Sequence, residues 1–236
     1  MAFQTCSKTN NILSIKKTAT LVTIKPKIET MKKQTRFLLL LAAIATFALI
    51  SFTTTGNAEI HVVIDAGHGG KDAGAASDST VEKDITMAIA TKIQRLNSDK
   101  NVIIHFTRAT DAFVELKDRA AMINKLKPAL VLSLHVGKSK DANIRGVKLS
   151  VAKDAPNQSA SLKFATILNA VLSRSSEMKV SEVAFETHYI LKNSAVPTIG
   201  IELGNISNPG DAKLLTEDKS QDRIALSILE FVSKIK

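Results

Sequence analysis

Four residues of this 236-residue chain combine reactive side chains with placement at the ends of apolar runs: His68, Glu82, His135 and Glu202. His68 follows His61-Val62-Val63-Ile64, a β-branched run that predicts a strand. His135 closes the run Ala129 to Leu134, and Glu202 closes Thr198 to Ile201. Glu82 stands at the start of a helical pattern. Ligands of parallel α/β sheets bind outside the carboxyl ends of the strands. This placement therefore brings His68, His135 and Glu202 to one edge, with Glu82 beside them. Two imidazoles and a carboxylate suit catalytic zinc, which takes about three protein ligands and keeps one position for water.

Each of these residues also has a plainer reading. Ser79-x-x-Glu82 fits a capping box, in which Glu82 only closes a helix N-terminus. Taken singly, His135 reads as a strand-end histidine and Glu202 as a paired carboxylate. Gly67-His68-Gly69-Gly70-Lys71 lacks the GxxxxGK[ST] spacing of a phosphate loop, and Asp65 and Asp72 flank it with repelling charge. His61, His105 and His188 have no motif around them and read as structural. Arg108, Asp111 and Arg119 are expected to lock a loop by ion pairing. Asn205-Ile206-Ser207-Asn208 is expected to shape a turn, and the charges of 211–219 read as a solvated surface.

The elements that must position these residues alternate in type. After the first strand, Ile85, Ile89, Ile93 and Leu96 recur at helical spacing. Val102 to Phe106 predicts a strand, Glu115 to Leu126 a helix, and Ala129 to Leu134 a buried strand. Val147 to Val151 alternates more and predicts a strand nearer a sheet edge, followed by a helix over about 159–172. Further strands are expected near Tyr189–Leu191 and Thr198–Ile201. Asn208-Pro209 reads as N-cap and first-turn proline of a last helix carrying Ile224, Ile228, Phe231, Val232 and Ile235. The order predicts an α/β fold in one domain: a mostly parallel or mixed central sheet of about six strands, with helices on both faces.

The net charge of +10 suggests nucleic acid until it is located. Residues 1–58 hold eight of the 32 basic residues and one of the 22 acidic ones, which leaves the body at only +3. The body therefore carries no electrostatic case for a nucleic-acid partner. The front reads as a leader, with an export signal over 31–58. Met31, Lys32, Lys33 and Arg36 make a positive start, Phe37 to Phe52 is uncharged and apolar, and Gly56-Asn57-Ala58 supplies small residues for cleavage. That run is shorter than the roughly 20 apolar residues of a membrane span. Membrane attachment would come only through an uncleaved leader. Met31, followed at once by two lysines, reads as the true start of translation. The sole cysteine, Cys6, lies in this leader, so catalysis in the body must rest on carboxylates, histidines or hydroxyls.

Several motifs together resemble the zinc-dependent N-acetylmuramoyl-L-alanine amidases, the cell-wall amidases of type 3. They are Val63-Ile64-Asp65-Ala66-Gly67-His68-Gly69-Gly70-Lys71-Asp72-Ala73-Gly74, Glu82-Lys83-Asp84-Ile85, Thr107-Arg108 with Asp111 and Arg119, Ser133-Leu134-His135, and Glu202 through Asn208. They occur in the family's order across about 61–208, and the last helix, entered through Leu214-Leu215 and Gln221, also fits. The resemblance implies that 59–236 is the catalytic domain, that His68, Glu82 and His135 bind Zn2+, and that Glu202 is the catalytic carboxylate. The substrate it implies is peptidoglycan, cut between the lactyl group of muramic acid and the first L-Ala of the stem peptide. The expected location is the periplasm, otherwise the extracellular wall.

Three positions depart from the family pattern. Val136 and Gly137 stand where relatives usually have a small residue and an asparagine, and Asn205 stands where an aromatic residue is common. These departures keep a second reading open, a regulatory relative that binds zinc and peptidoglycan without cutting. A zinc peptidase acting on free peptides is a third. Some relatives carry a long insertion that blocks the zinc until a protein activator moves it. The segment between Val151 and His188 is short here, so no activator is expected, and no separate wall-binding module is evident.

Overall fold

The β-branched runs of the body become the strands of one sheet in the computed structural model, which describes residues 32–33, 35–40, 59–77, 80–175 and 179–236. The chain divides into two units, Met1–Gly56 and Asn57–Lys236. In the first, residues 32–33 and 35–40 are helical, and the remainder of the export-signal reading lies outside the described residues. No helix among the described residues is long and apolar enough to cross a membrane.

In the second unit the strands are β1 (Ile60–Ala66), β2 (Ala76–Ser77), β3 (Thr80–Val81), β4 (Val102–Phe106), β5 (Leu130–Gly137), β6 (Lys148–Ala152), β7 (Ala184–Glu186) and β8 (Thr198–Asn205). The helices are α1 (Glu82–Leu96), α2 (Leu116–Leu126), α3 (Gln158–Ser175), α4 (Tyr189–Asn193), α5 (Pro209–Thr216) and α6 (Asp218–Lys234). Six strands form the main sheet in the order β4-β1-β5-β8-β6-β7, while β2 and β3 make a small separate hairpin. Pairing is parallel from β4 through β8, and β6 runs antiparallel to β8. The expected mostly parallel sheet of about six strands is present.

Alternation along the strands sorts residues between the two faces. Val62, Ile64, Leu130, Leu132, Leu134, Ile199 and Ile201 enter the larger core with Ile89 of α1, Leu168 of α3 and Phe231 of α6. Val63 and Val131 point the other way, into a smaller core with Ala120 and Ile123 of α2 and Ile190 of α4. By the same parity, Asp65, Ser133, His135, Gly200 and Glu202 lie on the thinly covered face. One side of the sheet thus carries the larger core, and the other carries a smaller core and polar groups at its carboxyl end.

Three local expectations are corrected. Tyr189–Leu191 is the start of the short helix α4, not a strand, and the edge strand β7 forms just upstream. Ile190 and Leu191 are both buried, although neighbours in a strand would face opposite ways. The last helix is divided: Asn208 does cap α5, accepting from Asp211 N at 3.0 Å, but α5 ends at Thr216 and α6 starts at Asp218. Asp211 itself is fully buried and is no part of a solvated surface. Its Oδ2 accepts from Gly146 N at 2.7 Å and Asn205 N at 2.9 Å, which ties the loop before β6 to the end of β8.

Candidate metal centre and active site

Glu82 opens α1, yet its side chain does not cap it. The N-cap is Val81 with no side-chain cap bond, and Ser79 lies outside the described residues. The buried carboxylate turns instead toward two imidazoles. Its Oε1 lies 2.9 Å from His135 Nδ1 and accepts from Val136 N at 2.9 Å. Its Oε2 lies 3.1 Å from His68 Nε2 and accepts from Ala75 N at 2.8 Å. Burial alone would push the Glu82 carboxyl up. The hydrogen bonds from His135, His68, Ala75 and Val136 outweigh it and hold Glu82 ionised, far below the usual carboxylate range. The bond to Glu82 raises the His68 pKa, burial opposes this, and Asp72 reinforces it.

The turn after β1 presents His68 in the left-handed region, at φ 59. Asp72 Oδ2 sits 2.9 Å from His68 Nδ1, which commits that nitrogen and leaves Nε2 directed at Glu82. Gly74, at φ 68, leaves the space this needs: a Cβ there would stand 2.5 Å from Glu82 Oε2 and 2.6 Å from His68 Cδ2. One ligand atom each from His68, Glu82 and His135 lies within 4.8 Å of the other two. An ionised, buried carboxylate flanked by two imidazole nitrogens is a donor set that fits a divalent cation. Because Asp72 orients the His68 ring, Asp72→Ala is expected to weaken metal binding by about 10–100-fold. Calorimetric titration of the metal-stripped variant measures this, with circular dichroism reporting that the fold is kept.

Two buried arginines hold the loop in place. Arg119 pairs with Asp65 at 2.9 Å and also donates to the carbonyls of Ala66 and His68. Asp65 accepts further from Thr107 Oγ1 at 2.6 Å and Ser133 Oγ at 2.7 Å, which joins β1, β5 and the chain after β4. Arg108 donates to the carbonyls of Ala66, Gly67 and Lys83. Its grip is therefore on backbone oxygens, where sequence reasoning anticipated an ion pair. Asp111 pairs with Lys83 at 2.7 Å and accepts from Gly70 N at 2.7 Å.

Glu202 stands beside His135 in the β5–β8 register, so both side chains leave the same face. About a third of its side chain is exposed. A Cβ at Gly137 would lie 3.0 Å from Glu202 Oε2, so the glycine leaves that oxygen uncovered. His68, Glu82, His135 and Glu202 all line one cavity of about 650 Å³, with Phe113 and Tyr189 also in its wall. His188, expected from its lack of a motif to be structural, lines it too. His61 Nδ1 and His105 Nε2 lie 2.9 Å from each other, and neither residue lines this cavity. The other departures leave the donors intact: Val136 serves Glu82 through its backbone N–H, and Asn205 Oδ1 accepts from Ser207 N at 2.9 Å in the turn after β8.

Residues 62–234 match the model of the family described as N-acetylmuramoyl-L-alanine amidase. The chain belongs to that amidase family. Among its relatives is the endolysin of Bacillus phage SPP1, 31% identical over 181 residues, covering 74% of this chain and 65% of that protein. The probable cell wall amidase LytH of Staphylococcus aureus is 30% identical over 172 residues, covering 72% of this chain and 54% of that protein. The chain thus spans less than two thirds of the length of either. The CwlD amidase of Clostridioides difficile, solved in complex with the GerS lipoprotein, superposes with a TM-score of 0.70 at 28% identity. That match covers 75% of this chain and 98% of that one. Two features of this family member had no signal in its sequence motifs: the cavity-lining His188, and a Lys148–Glu186 ion pair beside Glu202. Alternation in Val147–Val151 puts Lys148 on the polar face of its strand, but only the antiparallel β6–β8 register sets it opposite Glu202.

Proposed function

We propose that this chain is a zinc-dependent N-acetylmuramoyl-L-alanine amidase that acts on peptidoglycan outside the cytoplasmic membrane. The observation that carries this reading is the convergence of His68, Glu82 and His135 on one cavity that Glu202 also lines. His68 Nε2, a Glu82 oxygen and His135 Nδ1 would hold the zinc. In such a donor set zinc supplies acidification of water toward neutral pH and polarisation of the amide carbonyl.

The chain's own groups do the rest. Asp72 fixes the His68 ring, and Arg119 and Arg108 fix the carbonyls of the loop that bears it. Glu202 Oε2, uncovered beside Gly137, takes a proton from the attacking water and returns one to the departing L-Ala nitrogen. Phe113 and Tyr189 offer apolar surface to the muramyl peptide at the cavity wall.

The departures at Val136, Gly137 and Asn205 favour the non-catalytic alternative less than their position in sequence suggests, since none displaces a donor or Glu202. No described residue between 139 and 187 lines the cavity, which supports activity without an activator. Peptidoglycan treated with residues 59–236 and zinc should therefore gain free amino groups without gaining reducing sugar ends. New reducing ends would indicate glycan cleavage, and neither product would favour the binding-only reading.

A further inference from the structure

Beyond the metal donors, one charged cluster adjoins Glu202 without a role in the reaction described above. Lys148 opens β6, directly opposite Glu202 in the antiparallel β6–β8 register. Its Nζ lies 3.8 Å from Glu202 Oε1 and is also hydrogen-bonded to Glu186 of β7. Glu186 Oε2 in turn lies 3.3 Å from His188 Nδ1. Among the described residues, Lys148 is the only cation paired with Glu202 within 4.0 Å.

We propose that Lys148 is a positioning residue for Glu202, braced by Glu186, and that it anchors Oε1 so that Oε2 faces the reacting centre. The proposal rests on Glu202 being the proton-transfer carboxylate of an amidase. Three observations carry it. The two oxygens of Glu202 have different surroundings, since Oε1 faces the ammonium and Oε2 faces the space left by Gly137. A glutamate that is one-third exposed has several rotamers open to it, and catalysis needs one, so a fixed opposite charge reduces that freedom. Lys148 itself cannot wander, because Glu186 is only 18% exposed and holds it against the sheet.

The charges are arranged for this task. The hydrogen bond to Glu186 raises the Lys148 pKa above its ordinary value; burial opposes this, and the charge of Glu202 adds to it. Lys148 therefore stays cationic through the neutral range. Burial would raise the Glu186 carboxyl, but Lys148 and His188 outweigh it and keep it ionised. Paired with Glu186, Lys148 keeps its charge beside the Glu202 oxygen.

The test compares the zinc-loaded wild type with Lys148→Met, Lys148→Arg and Glu186→Gln on a soluble muramyl peptide. Lys148→Met should lower kcat by about five-fold, the upper end of the scale for one partly exposed charge contact, with KM changed less than about two-fold. Lys148→Arg should recover most of kcat, Glu186→Gln should fall between, and zinc content should be the same in all. A fall in kcat shared by Lys148→Arg, or a loss carried by KM, would overturn the proposal. Crystal structures of the wild type and Lys148→Met supply a readout that needs no activity. The proposal requires Glu202 ordered beside Lys148 in the wild type and displaced in the variant. An unmoved Glu202 would overturn it even if the wild type cut nothing, whereas a displaced one in a wild type that cut nothing would uphold the Lys148–Glu202 anchor alone and place the failure with the amidase reading.

Discussion

Replacing Glu202 by Gln is expected to lower peptide release by about 10²–10⁴-fold, the usual worth of a positioned general acid–base. Gln matches Glu in shape, can still turn its amide oxygen toward Lys148, and replaces a side chain that is about a third exposed. On the proposed mechanism the substitution therefore removes proton transfer and little else. Zinc content and thermal stability should stay at wild-type levels, because the proposed metal donors are His68, Glu82 and His135 and the larger core lies on the other face of the sheet. Rates measured at matched zinc occupancy check this. A loss below ten-fold would move the proton-transfer role to another group.

Arg119→Met carries the largest expected cost to stability, about 3–5 kcal/mol, the typical penalty for leaving one member of a buried ion pair alone. Both side chains are almost wholly enclosed, at 3% exposure for Arg119 and 2% for Asp65, so water cannot replace the lost partner. The carbonyls of Ala66 and His68 lose a donor in the same step, which should also loosen the loop that carries His68.

The pH dependence of that deficit has a definite sign. Burial would raise the Asp65 carboxyl, but Arg119, Thr107 and Ser133 outweigh it and depress its pKa below the ordinary 3.8. A depressed carboxyl contributes stability above its unfolded value, and that contribution is lost as pH falls through the lower folded value. The gap between wild type and Arg119→Met should therefore be widest near neutral pH and narrow in acid, where Asp65 is protonated in both. Urea unfolding at several pH values measures it. A gap independent of pH would mean that the arginine acts through packing alone.

The parts of the fold that sequence made legible are those with a long repeated signal. Ala129 to Leu134 is a continuous apolar run and forms the centre of the sheet as β5. The spacing of Ile85, Ile89 and Ile93 marked α1 for the same reason, since all three residues are buried. His68, His135 and Glu202 could be placed at one edge because strand ends are readable and parallel topology does the rest. Short or non-local features were not legible. Tyr189-Ile190-Leu191 is too brief to express a period, so packing against α2 and the sheet decided for a helix. Asp211 looked like one of several surface charges, and only the folded loop shows Gly146 and Asn205 donating to it. Lys148, Glu186 and His188 come from three separate segments, and no local pattern brings them together.

The most direct test of the zinc-centred account is mass spectrometry of a purified muramyl peptide incubated with the zinc-loaded domain, repeated after chelation and again after zinc is restored. The account predicts a free stem peptide beginning with L-Ala and an intact lactyl carboxylate on the sugar. Both products should vanish on chelation, return with zinc, and be absent with Glu202→Gln. Cleavage at another bond, or undiminished cleavage in the metal-stripped protein, would contradict it.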